Sequence, residues 1–329
     1  NRLGADVIRL VYASLDYTSE ISLGPTIFAA VSESYRKIRN TCRYMLGNLS
    51  DFDPARDAVA YPAMLEFDRF ILARLERLKS EVRRAFENFA YQAAYSALSN
   101  FIVVDLSSLY IDVARDRLYC DGKTSASRRS AQTALYQILD ATVRMLAPLI
   151  PFTADEIYSY VPGKTSASVH LLELQPAYPE WAEAALGEKW ERLLQVRRGA
   201  MIQLEAVRKL GKIGSSLAAV VSIGSPSGFP PGPEVSDLIS HHSLDLKNLL
   251  IASGLTPLDP PEAAAAINQN TSSDGGADSY PALISAPGLP PLVVVVSPAP
   301  GVKCNRCWCY FDDGGDPELC PRCRAVVRA

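Results

Sequence analysis

The chain has 329 residues, 48% of them hydrophobic, and a formal net charge of −3, which is enough apolar material for two or three domains with cores of their own. That charge excludes a uniformly basic nucleic-acid binder, so any phosphate contact must come from local basic patches. No signal peptide is recognisable and apolar runs such as Leu292 to Val296 are far too short to span a membrane, which points to a cytoplasmic protein without membrane attachment. The chain opens on Asn1-Arg2-Leu3-Gly4-Ala5-Asp6 with no initiator methionine and an apolar pattern already under way, so it reads as the continuation of something longer.

From about Thr26 to Glu156 the apolar positions keep helical spacing. Ile27, Val31, Ile38, Cys42 and Met45 fit one helix; Phe67, Ile71, Leu75, Leu78, Val82, Phe86 and Phe89 form the stripe of a second. Tyr95, Leu98, Ile102, Leu106 and Leu109 suggest a third, interrupted in character by Val103 and Val104. Leu135, Ile138, Leu139, Thr142, Val143 and Leu146 mark a fourth that Pro148 ends. These stripes imply a helical bundle. Thr153-Ala154-Asp155-Glu156 has the Thr-x-x-Glu form of a capping box and predicts a helix start at Thr153. Trp181 to Gly211 reads as another helix stopped by its glycine.

Beyond Gly211 the pattern changes. Leu217 to Ile223, Leu249 to Ala252, Ala282 to Ser285 and Leu292 to Val296 are short aliphatic runs bounded by Gly, Pro and Ser, as expected of strands in a small α/β module. Gly224 to Pro233 and Thr256 to Gly276 are expected to be loops, the second a mobile one. Pro298-Ala299-Pro300-Gly301 is the hinge to the last segment.

That segment carries Cys304-Asn305-Arg306-Cys307 and Cys320-Pro321-Arg322-Cys323, two Cys-x-x-Cys pairs twelve residues apart. Two tight turns that each present two thiolates suit tetrahedral zinc, and four thiolates leave no open position for water or substrate. The expectation is one structural Zn2+ held by Cys304, Cys307, Cys320 and Cys323. Disulfides or incidental thiols are the alternatives; disulfides belong to secreted domains, and seven cysteines in this length are not a disulfide framework. Cys309, two residues after Cys307, can replace a neighbour as ligand.

Arg36, Arg39 and Arg43 recur at three and four residues, a row of guanidinium groups able to grip a phosphate backbone. The solvated face of an amphipathic helix explains the same spacing. Arg115, Arg117, Arg128 and Arg129 form a comparable local set, as do Arg197, Arg198, Arg208 and Lys209. Arg306 and Trp308 place a cation and a large aromatic beside a metal knuckle, suited either to phosphate contact and stacking on an unpaired base or, for Trp308, to packing beneath the knuckle. Phosphate-loop, nucleophile-elbow and dinucleotide motifs are absent. His170, His241 and His242 lack metal-site spacing and read as solvated or capping residues, and no self-contained catalytic site emerges.

Asp105-Leu106-Ser107-Ser108-Leu109-Tyr110-Ile111-Asp112 followed by Asp116-Arg117-Leu118-Tyr119-Cys120 resembles the anticodon-binding helical domain of bacterial-type class I isoleucyl-tRNA synthetases. Gly4 to Leu10, Tyr35 to Thr41, Ala147 to Glu156 and Ile213 to Leu217 resemble further blocks of that family in the same order, and the cysteine segment with Trp308 is similar to its C-terminal zinc module. The sequence departs from the family pattern at Cys309, where histidine is frequent, at Tyr158, where tryptophan is frequent, and across Thr256 to Gly276.

The resemblance implies a mainly α fold: an anticodon-binding helical bundle, a small α/β module and a four-cysteine zinc ribbon. It divides the chain into the tail of a catalytic domain (1–25), the bundle (26–180), a helical linker and α/β junction module (181–300) and the ribbon (301–329). It further implies an isoleucine–tRNA ligase whose ATP-binding catalytic and editing domains precede Asn1, so that this part alone is inactive and binds no ATP. Its partner is then the anticodon stem-loop of tRNA(Ile), met by a monomer through Arg36, Arg39, Arg43, Arg306 and Trp308. A freestanding RNA-binding scaffold, or the same region of a valyl or leucyl enzyme, is the competing reading.

Overall fold

Residues 3–21, 23–226, 232–269, 279–285, 288–312 and 318–328 are described by the computed structural model, and the chain divides into two units, Asn1–Leu186 and Gly187–Ala329. The first holds helices α1 (Ala5–Ala13), α2 (Pro25–Asn48), α3 (Pro54–Asp57), α4 (Glu66–Glu87), α5 (Tyr91–Asn100), α6 (Ile111–Cys120), α7 (Ala126–Leu146) and α8 (Pro151–Ser159). The mainly α class expected from the sequence is the observed one.

The predicted stripes are the core. On α4, Phe67, Ile71, Leu75, Leu78 and Val82 are all buried, and on α7 Leu135, Ile138, Leu139, Val143 and Leu146 are. Phe89 does not belong to that stripe. It lies beyond the end of α4 at φ 56° and is 62% exposed. The Ala90 amide donates to the Ala85 carbonyl and the Phe89 amide to the Phe86 carbonyl, a Schellman ending with phenylalanine in the left-handed position usually given to glycine.

Residues 91–120 form one continuous helix in which α5 and α6 are joined by a π-helical stretch, Phe101–Tyr110. The Ile111 amide reaches back five residues to the Leu106 carbonyl, and the Ser108 hydroxyl donates to the Val103 carbonyl at 2.9 Å. This wider winding explains why Val103 and Val104 spoil the helical spacing. Contrary to the sequence reading, this helix is long and apolar enough to cross a membrane, with a mean hydropathy of 1.4 over its most apolar window. Half of that window is buried, with Ile102, Leu106, Tyr110 and Ala114 facing inward among α2, α4 and α7, so its apolar content is accounted for by the bundle core.

The capping-box reading at Thr153 is corrected. α8 starts at Pro151, with Thr153 inside its first turn. Its cap comes from far away in sequence: the buried Asp6 carboxylate of α1 accepts from both the amide and the hydroxyl of Thr153 at 2.6 Å, and Tyr35 of α2 shares that hydroxyl at 2.8 Å. A carboxylate at a helix N-terminus satisfies orphan amides and complements the helix dipole, so this contact fixes α1, α2 and α8 together.

The second unit contains most of α9 (Ala184–Lys209), then β1 (Ala219–Gly224), α10 (Gly232–His241), α11 (Ser243–Leu250), β2 (Gly254–Pro257), α12 (Pro260–Gln269), β3 (Tyr280–Ile284) and β4 (Leu292–Pro298). The cysteine segment adds β5 (Val302–Lys303), β6 (Tyr310–Phe311) and α13 (Pro321–Arg328). Gly211 ends α9 as expected, at φ 72°, with the Lys212 amide donating to the Val207 carbonyl. The sheet order is β2-β1-β4-β3, with β1 parallel to β2 and β4 antiparallel to both β1 and β3. Val221, Ile223, Val293, Val294 and Val296 fill its interior.

Two readings change here. Leu249 to Ala252 is no strand: it ends α11, with Ile251 in the left-handed region at φ 53° and the Ala252 amide on the Lys247 carbonyl. The strand begins two residues later. Within Thr256 to Gly276 the alanine run is helical as α12, capped reciprocally by Asp259 and Glu262 at 2.8 and 3.0 Å; residues 270–276 of that loop and 227–231 of the other lie outside the described residues.

Candidate metal centre and nucleic-acid interface

Cys304, Cys307, Cys320 and Cys323 are all buried, and their sulfur atoms lie within 4.8 Å of one another. None is in a disulfide. The Cys307 and Cys320 sulfurs are 3.7 Å apart, near the ~3.8 Å edge of a tetrahedron built on Zn–S bonds of about 2.3 Å. Four converging sulfurs with no oxygen or imidazole donor suit a soft, tetrahedral ion, so the residues present fit the expected zinc. Cys309 is not among the four.

Short backbone links shape the cluster. β5 and β6 pair Val302 with Phe311 and Lys303 with Tyr310, the Cys304 amide donates to the Cys309 carbonyl at 2.9 Å, and the Trp308 amide returns to the Cys304 carbonyl at 3.0 Å. Cys320 donates its amide to the Cys304 sulfur at 3.4 Å, and Cys323 sits in the first turn of α13. Burial is the largest influence on Cys304 and pushes its thiol up, but the amides of Cys307, Cys320 and Arg306 together bring it down to about 6. Those amides favour the thiolate of Cys304 alone; the thiols of Cys320 and Cys323 are pushed upward, chiefly by burial. The neighbouring Cys307 is pushed upward too, by its hydrogen bond with Cys309 and then by burial.

The knuckle is tied to the α/β module through Ser253. Its hydroxyl donates to the Leu217 carbonyl and accepts from the Tyr310 amide at 2.7 Å. At the tip, Trp308 stands in the left-handed region at φ 65° and is 58% exposed, with the Lys303 ammonium 5.2 Å from its ring centroid. The ring is thus not packed away beneath the knuckle. Arg306 is half-buried.

Arg36, Arg39 and Arg43 are exposed along α2, on a face distinct from the buried Ile38 and Cys42. Arg36 pairs with Glu33 of its own helix, Arg39 with Glu156 of α8 at 3.2 Å, and Arg43 makes no ion pair among the described residues. Solvent-exposed pairs of this kind contribute little, about 0–1 kcal/mol, so a phosphate can displace the carboxylates at small cost.

Among proteins of known function, the family described as "Anticodon-binding domain of tRNA ligase" matches residues 68–223. The chain carries a tRNA-ligase anticodon-binding domain. Over 99% of its length it is 39% identical to the isoleucine–tRNA ligase of Desulforudis audaxviator and 40% identical to that of Syntrophotalea carbinolica. At 36% identity over 98% of its length it also matches the enzyme of Gloeobacter violaceus. It spans about a third of the length of these relatives, 31–33%. A LeuRS chain of Agrobacterium radiobacter K84, solved as a ternary complex with tRNA and LeuAMS, matches 68% of this chain at 16% identity and a TM-score of 0.42, covering 22% of its own length.

Within the anticodon-binding domain, most of the second suspected basic set serves the fold. Arg117 makes a two-pronged pair with the fully buried Asp68 at 2.7 and 2.9 Å, Arg128 one with Asp51 at 2.8 and 3.0 Å, and Arg129 bonds Asp57 at 3.4 Å. Arg115 alone of that set is well exposed, paired with Asp112 at 3.2 Å. In the last set Arg197 donates to the Leu249 carbonyl at 2.9 Å and Arg208 pairs with Glu205. The sequence reading also missed a groove between α2 and α6, about 420 Å³, lined by Asn40, Arg43, Tyr44, Gly47, Asn48 and Tyr119. The signal was present on α2, since positions 40, 43, 44 and 47 share one helical face; Tyr119 joins them only through the tertiary fold.

Proposed function

We propose that this chain is the tRNA-holding part of an isoleucine–tRNA ligase. The whole protein forms isoleucyl-adenylate from isoleucine and ATP and transfers isoleucine to tRNA(Ile). The observation that carries this reading is identity of 36–40% to isoleucine–tRNA ligases across nearly the whole chain, together with the anticodon-binding match. In this reading the bundle (26–180) takes the anticodon stem-loop, with Arg36, Arg39 and Arg43 on its phosphates. The module 181–300 supports the ribbon (301–329), whose single zinc ion orders a tip that applies Arg306 and Trp308 to the same RNA. Phosphate contacts position an RNA and unstacked bases allow it to be read, a division that suits a surface with scattered cations and one exposed tryptophan. ATP is bound elsewhere in the whole protein, which works as a cytoplasmic monomer, and this chain alone forms no adenylate.

The test is filter binding of tRNA(Ile) and of the same tRNA with a changed anticodon at low salt. Preferential retention of the first is expected, and equal retention of both sinks the reading. Trp308→Ala is expected to weaken binding while the melting of the bundle stays unchanged; unaltered affinity removes Trp308 from the interface. Adenylate formation by the isolated chain in isoleucine-dependent pyrophosphate exchange overturns the assignment of ATP to another part.

A further inference from the structure

We infer that Cys309 is an oxidation site coupled to the metal centre: a peroxide converts its thiol to a sulfenic acid, which condenses with Cys307 to a reversible disulfide and removes one ligand from the zinc. The inference concerns a cysteine outside the four ligands. Its consequence for RNA, and that alone, rests on the tRNA-binding reading.

The knuckle holds one cysteine more than a tetrahedral site uses. Cys309 is also the one cysteine of the chain that is not buried, so an oxidant arriving from solvent meets it first; susceptibility to oxidation follows thiolate character and exposure. It is held against a ligand. Cys307 and Cys309 share a side-chain hydrogen bond, and the Cys309 amide donates to the Cys307 sulfur. The backbone keeps the pair together. The Cys309 carbonyl accepts from the Cys304 amide at 2.9 Å, and the Trp308 amide donates to the Cys304 carbonyl at 3.0 Å. On the far side Tyr310 pairs with Lys303 in the ribbon and donates its amide to the Ser253 hydroxyl at 2.7 Å. Between the two cysteines Trp308, at φ 65°, turns the chain so that their side chains meet while its own ring stands in solvent.

One molecule of peroxide balances the reaction. The Cys309 sulfur takes one oxygen as the O–O bond breaks, and the other oxygen leaves as water with the thiol proton. The Cys307 thiolate then attacks the Cys309 sulfur, the S–S bond forms and hydroxide departs. Both sulfurs are oxidised and both peroxide oxygens are reduced. The disulfide closes a ring over a single intervening residue, and strain of that kind makes a disulfide oxidising and labile, so a thiol of the glutathione class restores both cysteines. With Cys307 withdrawn, three thiolates no longer complete the tetrahedron. Arg306 and Trp308 flank Cys307 directly, so the order of the tip is lost with that ligand.

The experiment uses the full-length, zinc-loaded protein with hydrogen peroxide as oxidant, a chromogenic zinc chelator as reporter and disulfide mapping by mass spectrometry. The wild type is expected to release its zinc, to show a bond between Cys307 and Cys309, and to regain thiols and metal when reduced glutathione and zinc are supplied. Cys309→Ser and Cys309→Ala keep the four ligands and are expected to retain zinc through the same exposure. Release from these variants as fast as from the wild type overturns the inference, as does zinc retained by the oxidised wild type. A disulfide that joins Cys307 to Cys304, Cys320 or Cys323, or oxygen added at Cys309 with no disulfide, overturns it too. Filter binding separates this from the tRNA reading: the oxidised wild type is expected to lose retention of tRNA(Ile) and peroxide-treated Cys309→Ser to keep it. Zinc release through a bond between Cys307 and Cys309 with undiminished tRNA retention upholds the oxidation site and removes Arg306 and Trp308 from the RNA interface.

Discussion

Arginine in this sequence has two uses that spacing alone does not separate. Arg117 reads as surface cation, yet it lies against Asp68, which is 0% exposed and also accepts from Tyr110 at 2.7 Å and Ser130 at 2.5 Å. Arg36 reads the same way and stays at the surface, its side chain 68% exposed. The difference is tertiary: the partner of Arg117 is 49 positions away, whereas that of Arg36 is on its own helix. Arg117→Ala leaves a buried carboxylate without its counter-charge and is expected to cost roughly 3–5 kcal/mol in urea unfolding, while Arg36→Ala changes stability by less than about 1 kcal/mol. Similar midpoints for the two variants would show the Asp68 cluster to be dispensable. Asp51 adds a pH signature. The hydrogen bond from the Arg128 guanidinium, opposed by partial burial, holds its carboxyl at about 2, below the ~3.9 of an unfolded aspartate. A depressed carboxylate contributes stability that is present above the unfolded value and is lost as pH falls toward the folded one. Melting temperatures of the wild type and Asp51→Asn should therefore differ most above about pH 4 and converge toward pH 2; a gap that is constant with pH would exclude this ion pair as a source of acid sensitivity.

At the scale of elements, what was legible is whatever repeats along one helix, and what was not legible is how elements end. The stripes of α4 and α7 are buried as their periodicity requires, and the Gly211 stop is a local rule obeyed. Phe89 and Ile251 obey the same geometry with the wrong residue type, so the sequence concealed one helix end and disguised another as a strand. The Asp6 cap on α8 is equally hidden, because it joins positions 147 apart. Gly301 is the reverse case, a hinge glycine whose role becomes stronger on seeing the structure. At φ 83° a Cβ there would lie 2.1 Å from the Phe311 carbonyl oxygen, in the partner strand of the ribbon. Gly301→Ala must therefore push β5 and β6 apart as well as occupy an unfavourable backbone region, a strain on the order of 1–3 kcal/mol. The expected outcome is faster loss of metal to a chelator with unchanged melting of the helical bundle. Metal retention equal to the wild type would mean that the ribbon tolerates the shift and does not position the knuckle.

For the molecule as a whole, the metal's influence should be confined to one unit. All four converging cysteines lie in Gly187–Ala329, while Asn1–Leu186 has its own core of leucine, isoleucine and phenylalanine with no metal-binding cluster among its described residues. The sulfur cluster was readable from spacing because each Cys-x-x-Cys is a local turn, but the exclusion of Cys309 was not; that depends on how Trp308, at φ 65°, turns the chain after Cys307. Because a structural metal ion contributes its binding free energy to folding, stripping it should abolish the knuckle and leave the bundle's far-UV helical signal and main thermal transition in place. Purified protein is expected to hold one zinc per chain by elemental analysis, Cys304→Ser to lose it, and Cys309→Ser to keep it. Zinc retained by Cys304→Ser and lost by Cys309→Ser would exchange the ligand set, and a bundle transition that falls with the metal would show that the two units share one cooperative unfolding event.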